Sequence, residues 1–139
     1  MGYRSDVAIC CRAKVYNNFR DHLEEIIKEK CYDVRFGQNA HILAKNVKEF
    51  LDCAQFRAPR VERRFYPDKF KNESYIVIYW KQVKWYYEDF PEVQVIHDYF
   101  KNVVDEDLDY GIIGEDYDDV KFEAYNLGLI WINRFFDGF

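Results

Sequence analysis

Tyr75-Ile76-Val77-Ile78-Tyr79-Trp80 decides the fold. All six residues are aromatic or β-branched, and the run is bounded by Asn72 and Lys81. Successive side chains of a strand point to opposite faces, so a strand that is apolar on both faces belongs inside a sheet covered on both sides. The run therefore predicts a central strand, and the neighbouring segments are read as its partners and covers.

Upstream, Val7, Ile9, Cys11 and Ala13 alternate with more varied residues and predict a first strand over 6–14. A helix from Tyr16 follows, with Phe19, Leu23, Ile26 and Ile27 on its dry stripe and Asp21, Glu24, Glu25 and Lys28 on its wet side. Tyr32, Val34 and Phe36 alternate again and predict a short strand ending at Gly37. Asn39 then caps a second helix that buries Leu43, Val47, Phe50, Leu51 and Ala54. Residues 56–72 hold two of the three prolines and show no clear period, so they read as a loop, with a short strand over 61–66.

Downstream, 83–87 continue the central strand after a turn or bulge. Asp89-Phe90-Pro91-Glu92 is a helix start, with a carboxylate at the cap, Pro in the first turn and Glu three residues after Asp. This helix buries Val93, Ile96, Phe100 and Val103. Residues 110–113, 120–125 and 129–135 read as three closing strands joined by short antiparallel turns. The sum is an α+β fold: a mixed, largely antiparallel sheet with two or three helices packed on it.

The chain has 139 residues, of which 49% are hydrophobic and 32% charged, which fits one globular domain spanning 1–139. Twelve Tyr, twelve Phe and three Trp exceed what a core of this size needs, so some rings belong at the surface as interface residues. Cys10, Cys11, Cys31 and Cys53 lack the spacing of a zinc site and read as reduced core residues. With no apolar leader and no run near the ~18 residues of a membrane span, the expected place is the cytoplasm, with no membrane partner.

Charge is unevenly placed. Lys and Arg outnumber Asp and Glu by 17 to 11 over residues 1–85, whereas over 86–123 the count is 2 against 13. Within the acidic half, Glu115, Asp116, Asp118 and Asp119 crowd a turn that offers oxygen ligands to a hard cation, and a metal-dependent hydrolase is one reading of it. A solvated hairpin turn is the plainer reading, because the ligand pattern and glycine position of a calcium loop are missing. In the basic half, Arg57, Arg60, Arg63, Arg64, Lys69 and Lys71 interleave with Phe56, Phe65, Tyr66 and Phe70, a mixture that stacks on bases while neutralising phosphates. An ordinary protein interface uses the same mixture, and the net charge of −5 opposes nucleic acid. His22, His41 and His97 fall on three separate helices, none with a partner at metal-ligand spacing. There is no G-x-S-x-G, P-loop, dinucleotide fingerprint or H-E-x-x-H, so neither a catalytic residue nor a cofactor is expected.

Three short motifs carry a family likeness: Gly2-Tyr3-Arg4-Ser5-Asp6-Val7, Trp85-Tyr86 ahead of Pro91-Glu92-Val93, and Gly114-Glu115-Asp116-Tyr117-Asp118-Asp119. In these the chain resembles a group of small proteins encoded by bacteriophages and prophages. The resemblance implies an accessory protein that binds and blocks a host component, CRISPR and other defence machinery included. The expected function is a non-enzymatic inhibitor acting by occlusion through an acidic and aromatic surface, with Trp85, Tyr87, Glu115, Asp116, Asp118 and Asp119 as its contact residues. The aromatic excess and the two-sided strand also suit a homo-oligomer.

Overall fold

A computed structural model describes residues 4–29, 40–57, 75–103, 107–114, 119–133 and 135–139. In chain order the elements are β1 (Ser5–Arg12), α1 (Ala13–Glu29), α2 (Ala40–Asp52), β2 (Gln55–Arg57), β3 (Tyr75–Val83), α3 (Pro91–Val103), β4 (Asp109–Ile113), β5 (Val120–Tyr125), β6 (Trp131–Asn133) and β7 (Phe135–Asp137). Five strands form one sheet in the order β2-β3-β1-β4-β5, and each of its pairings is antiparallel. β6 and β7 pair separately as a hairpin. The fold is α+β, as the pattern of elements predicts.

The Tyr75–Trp80 run lies in β3, between β2 and β1, and it is covered on both faces. On one face Ile78 and Trp80 join Val7, Ile9 and Cys11 of β1 against the three helices. Each helix presents an apolar stripe: Tyr16, Phe19, Leu23 and Ile26 from α1; Ala44, Val47 and Leu51 from α2; Val93, Ile96 and Phe100 from α3. On the other face Val77 joins Ala8 and Cys10 under Leu127, Leu129 and Ile130, with Phe122, Phe136 and Phe139 at the margin. Ala8 and Gly111 are small because the second cover lies close: a Cβ on Gly111 would stand 2.8 Å from Cε1 of Phe136.

Polar groups fix the layers. Trp80 Nε1 donates to the Phe50 carbonyl at 3.0 Å, tying α2 to the sheet, and the Tyr99 hydroxyl donates to the Val15 carbonyl at 3.1 Å, tying α3 to α1. The second cover hangs on Asp109, whose buried carboxylate accepts from the amides of Leu127, Gly128, Leu129 and Ile130 at 2.7–3.2 Å. Four consecutive amides converge in this way because Gly128 has φ +68°, a left-handed value that glycine adopts without a Cβ clash.

The structure corrects several expectations. β3 stops at Val83, so 85–87 do not prolong it. Between the pairs Ser5↔Val83 and Val7↔Trp80, β3 carries two residues against one on β1, a bulge in which Gln82 has φ 54° and its amide donates to Asp6 Oδ1 at 2.8 Å. The chain then turns back over the helical face. Residues 129–135 are not one closing strand but the approach to, and most of, the β6–β7 hairpin. Pro91 is the first residue of α3, which leaves Asp89 one position outside the cap. Cys53 is exposed rather than part of the core, whereas Cys10 and Cys11 are buried. The strands expected at 32–36 and 61–66, and Cys31, lie outside the described residues. No helix among the described residues is long and apolar enough to cross a membrane.

Candidate functional site

The bulge at Gln82 sets up a polar cluster at the surface. Because the chain leaves the sheet there, Trp85 folds inward and is half-buried against Phe50, Trp80 and Tyr110, with ring centroids 5.1–6.3 Å apart. Its indole Nε1, which can only donate, does so to the Tyr110 hydroxyl at 2.7 Å. That hydroxyl also stands 2.9 Å from Nδ1 of His97 on α3. Having accepted from the indole, Tyr110 has one proton to give, and a neutral His97 with a bare Nδ1 is the form that receives it.

Burial acts in the same sense on both partners. It pushes the Tyr110 hydroxyl far above the ordinary tyrosine value, against the hydrogen bond from Trp85. It also holds His97 below the usual imidazole value of 6.5; Lys101 and Lys121 assist, while Glu123 and Asp98 oppose. A neutral imidazole whose acceptor nitrogen is engaged is a fixed platform. Above it sits Tyr87, its ring edge-on to His97 at 5.1 Å and its hydroxyl donating to Asp98 Oδ1 at 2.9 Å. That hydrogen bond, ahead of any burial, raises the Tyr87 hydroxyl above its normal value. Tyr87 is nevertheless 44% exposed. Glu88 and Asp89 follow it into solvent, and their turn is closed by the amides of Asp89 and Phe90 donating to the Tyr86 carbonyl.

The expected contact residues are thus divided. Tyr87 stands on the surface, and Trp85 serves as a half-buried support beneath the same cluster. Asp119 is exposed just ahead of β5, and its carbonyl accepts from the Gly114 amide at 2.7 Å. Glu115, Asp116 and Asp118 lie outside the described residues. Of the basic set, Arg57 is exposed on the edge strand β2 beside Phe56, and its Nη2 donates to Gln55 Oε1 at 3.0 Å. Arg60, Arg63, Arg64, Lys69 and Lys71 lie outside the described residues. Among the described residues no three His, Cys, Asp or Glu side chains gather as metal ligands.

Asp98 and Tyr110 are participants that sequence reasoning did not single out, and it weighs His97 only as a metal ligand. Their signal is spacing: on α3 the adjacent pair His97-Asp98 follows Tyr87 by ten and eleven positions, near enough for the intervening turn to fold Tyr87 onto both.

Comparison with protein-family models, with curated proteins and with solved structures gives no match.

Proposed function

We propose that this protein is a non-enzymatic interaction module that docks onto a basic protein surface through the acidic and aromatic face around Tyr87. One observation carries the reading: an aromatic ring left 44% exposed has its hydroxyl fixed on Asp98 and its edge fixed on His97. A tyrosine ordered before contact loses little rotamer freedom on binding, which is what an affinity anchor requires. The carboxylates of Glu88, Asp89 and Asp98 beside it, within a segment of 13 acidic and 2 basic residues, favour a cationic partner and speed its approach. The Tyr110 hydroxyl is engaged by both Trp85 and Nδ1 of His97, which suits a scaffold better than proton transfer. The resemblance to phage-encoded proteins gives the reading its finer form, a blocker of a host or defence protein working by occlusion in the host cytoplasm.

The test begins with capture from host lysate and identification by mass spectrometry, followed by binding kinetics with the captured protein. Tyr87→Ala is expected to weaken the complex by about 30-fold, the measure of a hot spot, mostly through faster dissociation. Glu88→Lys with Asp89→Lys is expected to slow association and flatten its salt dependence. Full affinity in both variants overturns the reading.

A second reading rests on β2, where Phe56 and Arg57 are consecutive exposed residues on a sheet edge. Together with Arg60, Arg63, Arg64, Lys69 and Lys71 they would make a nucleic-acid site whose binding weakens steeply with salt. Absence of a low-salt gel shift with RNA or DNA removes it.

A further inference from the structure

A cleft of about 440 Å³ opens between the last turns of α2 and the first turn of α3, lined by Asn46, Glu49, Phe50 and Cys53 on one side and by Lys84, Phe90, Glu92 and Val93 on the other. Its floor is apolar and braced from behind. Phe50 stacks on Trp80 at 5.5 Å and meets Trp85 at 5.9 Å, Phe90 stacks on Tyr86 at 6.0 Å, and Val93 is buried. The walls are therefore preformed. Its size falls in the range of small-ligand sites, about 300–1,000 Å³. Glu49 and Glu92 give the lining two carboxylates against the single ammonium of Lys84, and the exposed Glu88 and Asp89 lie on the turn that leads into Phe90.

We infer that this cleft receives a basic side chain flanked by an apolar one, presented by a peptide segment of the protein partner. The chemistry follows from the walls. An apolar side chain fills the floor over Phe50, Phe90 and Val93, and the guanidinium of an adjacent arginine reaches Glu49 and Glu92. A partner carboxylate in the same place would meet both glutamates at close range. The inference deepens the docking reading above and rests on it for the identity of the occupant as a protein segment. Tyr87 lies three residues before Phe90, so one basic surface reaches both features.

Cys53 supplies a direct readout, since its exposed thiol lines the cleft whereas Cys10 and Cys11 are buried. The experiment alkylates the full chain with iodoacetamide and follows Cys53 by peptide mapping. Acetyl-Leu-Arg-amide serves as the probe, with acetyl-Leu-Glu-amide as control, each at about 10 mM because a lone anchor of this kind binds in the millimolar range. Cys53 alkylation is expected to slow by about fivefold with the arginine peptide at that concentration and to stay unchanged with the glutamate peptide. Glu49→Gln with Glu92→Gln is expected to abolish the protection, and an unchanged thermal midpoint shows that the variant is folded. Equal protection by the two peptides, or none by either, overturns the inference. Tyr87→Ala separates the two proposals: in the binding measurement that variant loses the captured partner if the docking reading holds, and in the alkylation assay it keeps cleft protection if this inference holds.

Discussion

The Tyr110 hydroxyl and Nδ1 of His97 meet at 2.9 Å, joining the start of β4 to the middle of α3 beneath the exposed ring of Tyr87. Because Trp85 already donates to that hydroxyl, protonating His97 would leave the Tyr110 proton facing a second N–H donor. Folding therefore favours the neutral imidazole. With His97 below 6.5 in the folded chain and at 6.5 in the unfolded one, the unfolded state takes up the proton first, so stability falls as pH drops through about 6.5 toward the folded value. Urea unfolding at about pH 7.5 and 5.5 is expected to show this loss in the wild type and a smaller one in His97→Gln. The lowered carboxyl of Glu123 does not interfere: burial opposes its ionisation, the hydrogen bond and charge of Lys121 prevail, and its window lies below the usual 4.5. Equal pH dependence in the two proteins would contradict the assigned tautomer.

Asp109 is the hinge of the second cover. Truncating it leaves four buried or half-buried amides, 127–130, without their acceptor, and each such loss is costly in a dry site. Asp109→Ala is expected to destabilise the protein by about 3 kcal/mol or more. Asp109→Asn relieves little, because its amide group presents donors where donors already converge. Hydrogen exchange should report the loss first at 127–130, ahead of β1 and β3. Uniform loss of protection across the sheet would instead show that the cover and the sheet unfold as one.

The three cysteines among the described residues should react in a fixed order. Burial, with the charge of Asp109 and the neighbouring Cys11, pushes the Cys10 thiol far up, and burial pushes Cys11 up to about 12 against a backbone hydrogen bond from Tyr16. Thiolate is the reactive form, so both resist alkylation twice over, by access and by protonation. Cys53 is expected to be alkylated in native buffer, and Cys10 and Cys11 only after denaturation. Native modification of Cys10 would mean that the Leu127–Ile130 cover opens readily.

How far the sequence spoke can be judged from single residues. The Tyr75–Trp80 run announced a strand dry on both faces because period-two alternation is absent there, and the stripes of α1, α2 and α3 are local periodicities. What escaped was set by long-range geometry. The bulge at Gln82 depends on Asp6, 76 positions away, to receive its amide, so nothing near Gln82 says that Trp85 turns inward and Tyr87 outward. Asp109 closes an acidic run, Asp105-Glu106-Asp107-Leu108-Asp109, in which nothing local sets it apart, and only the fold brings the amides of 127–130 to it. Cys53 looks like a core residue by type, but it follows the last turn of α2, past the Leu51 position where the apolar stripe ends.

Gly111 and Phe136 offer a stringent check on how closely the hairpin lies on the sheet. A methyl at Gly111 would stand 2.8 Å from Cε1 of Phe136 and 3.2 Å from Cε1 of Phe122, closer than packed carbons tolerate. Gly111→Ala is therefore expected to cost about 1–3 kcal/mol, the range for overpacking. If Phe136 is the obstacle, the same substitution made in a Phe136→Ala background should cost less by roughly 1 kcal/mol or more, a coupling that chemical denaturation of the four proteins in the cycle measures directly. Additive losses would place the hairpin farther from β4. The residual term from Phe122 is smaller because its ring also packs against the exposed Tyr125, with centroids 4.6 Å apart, and the pair can shift toward solvent together.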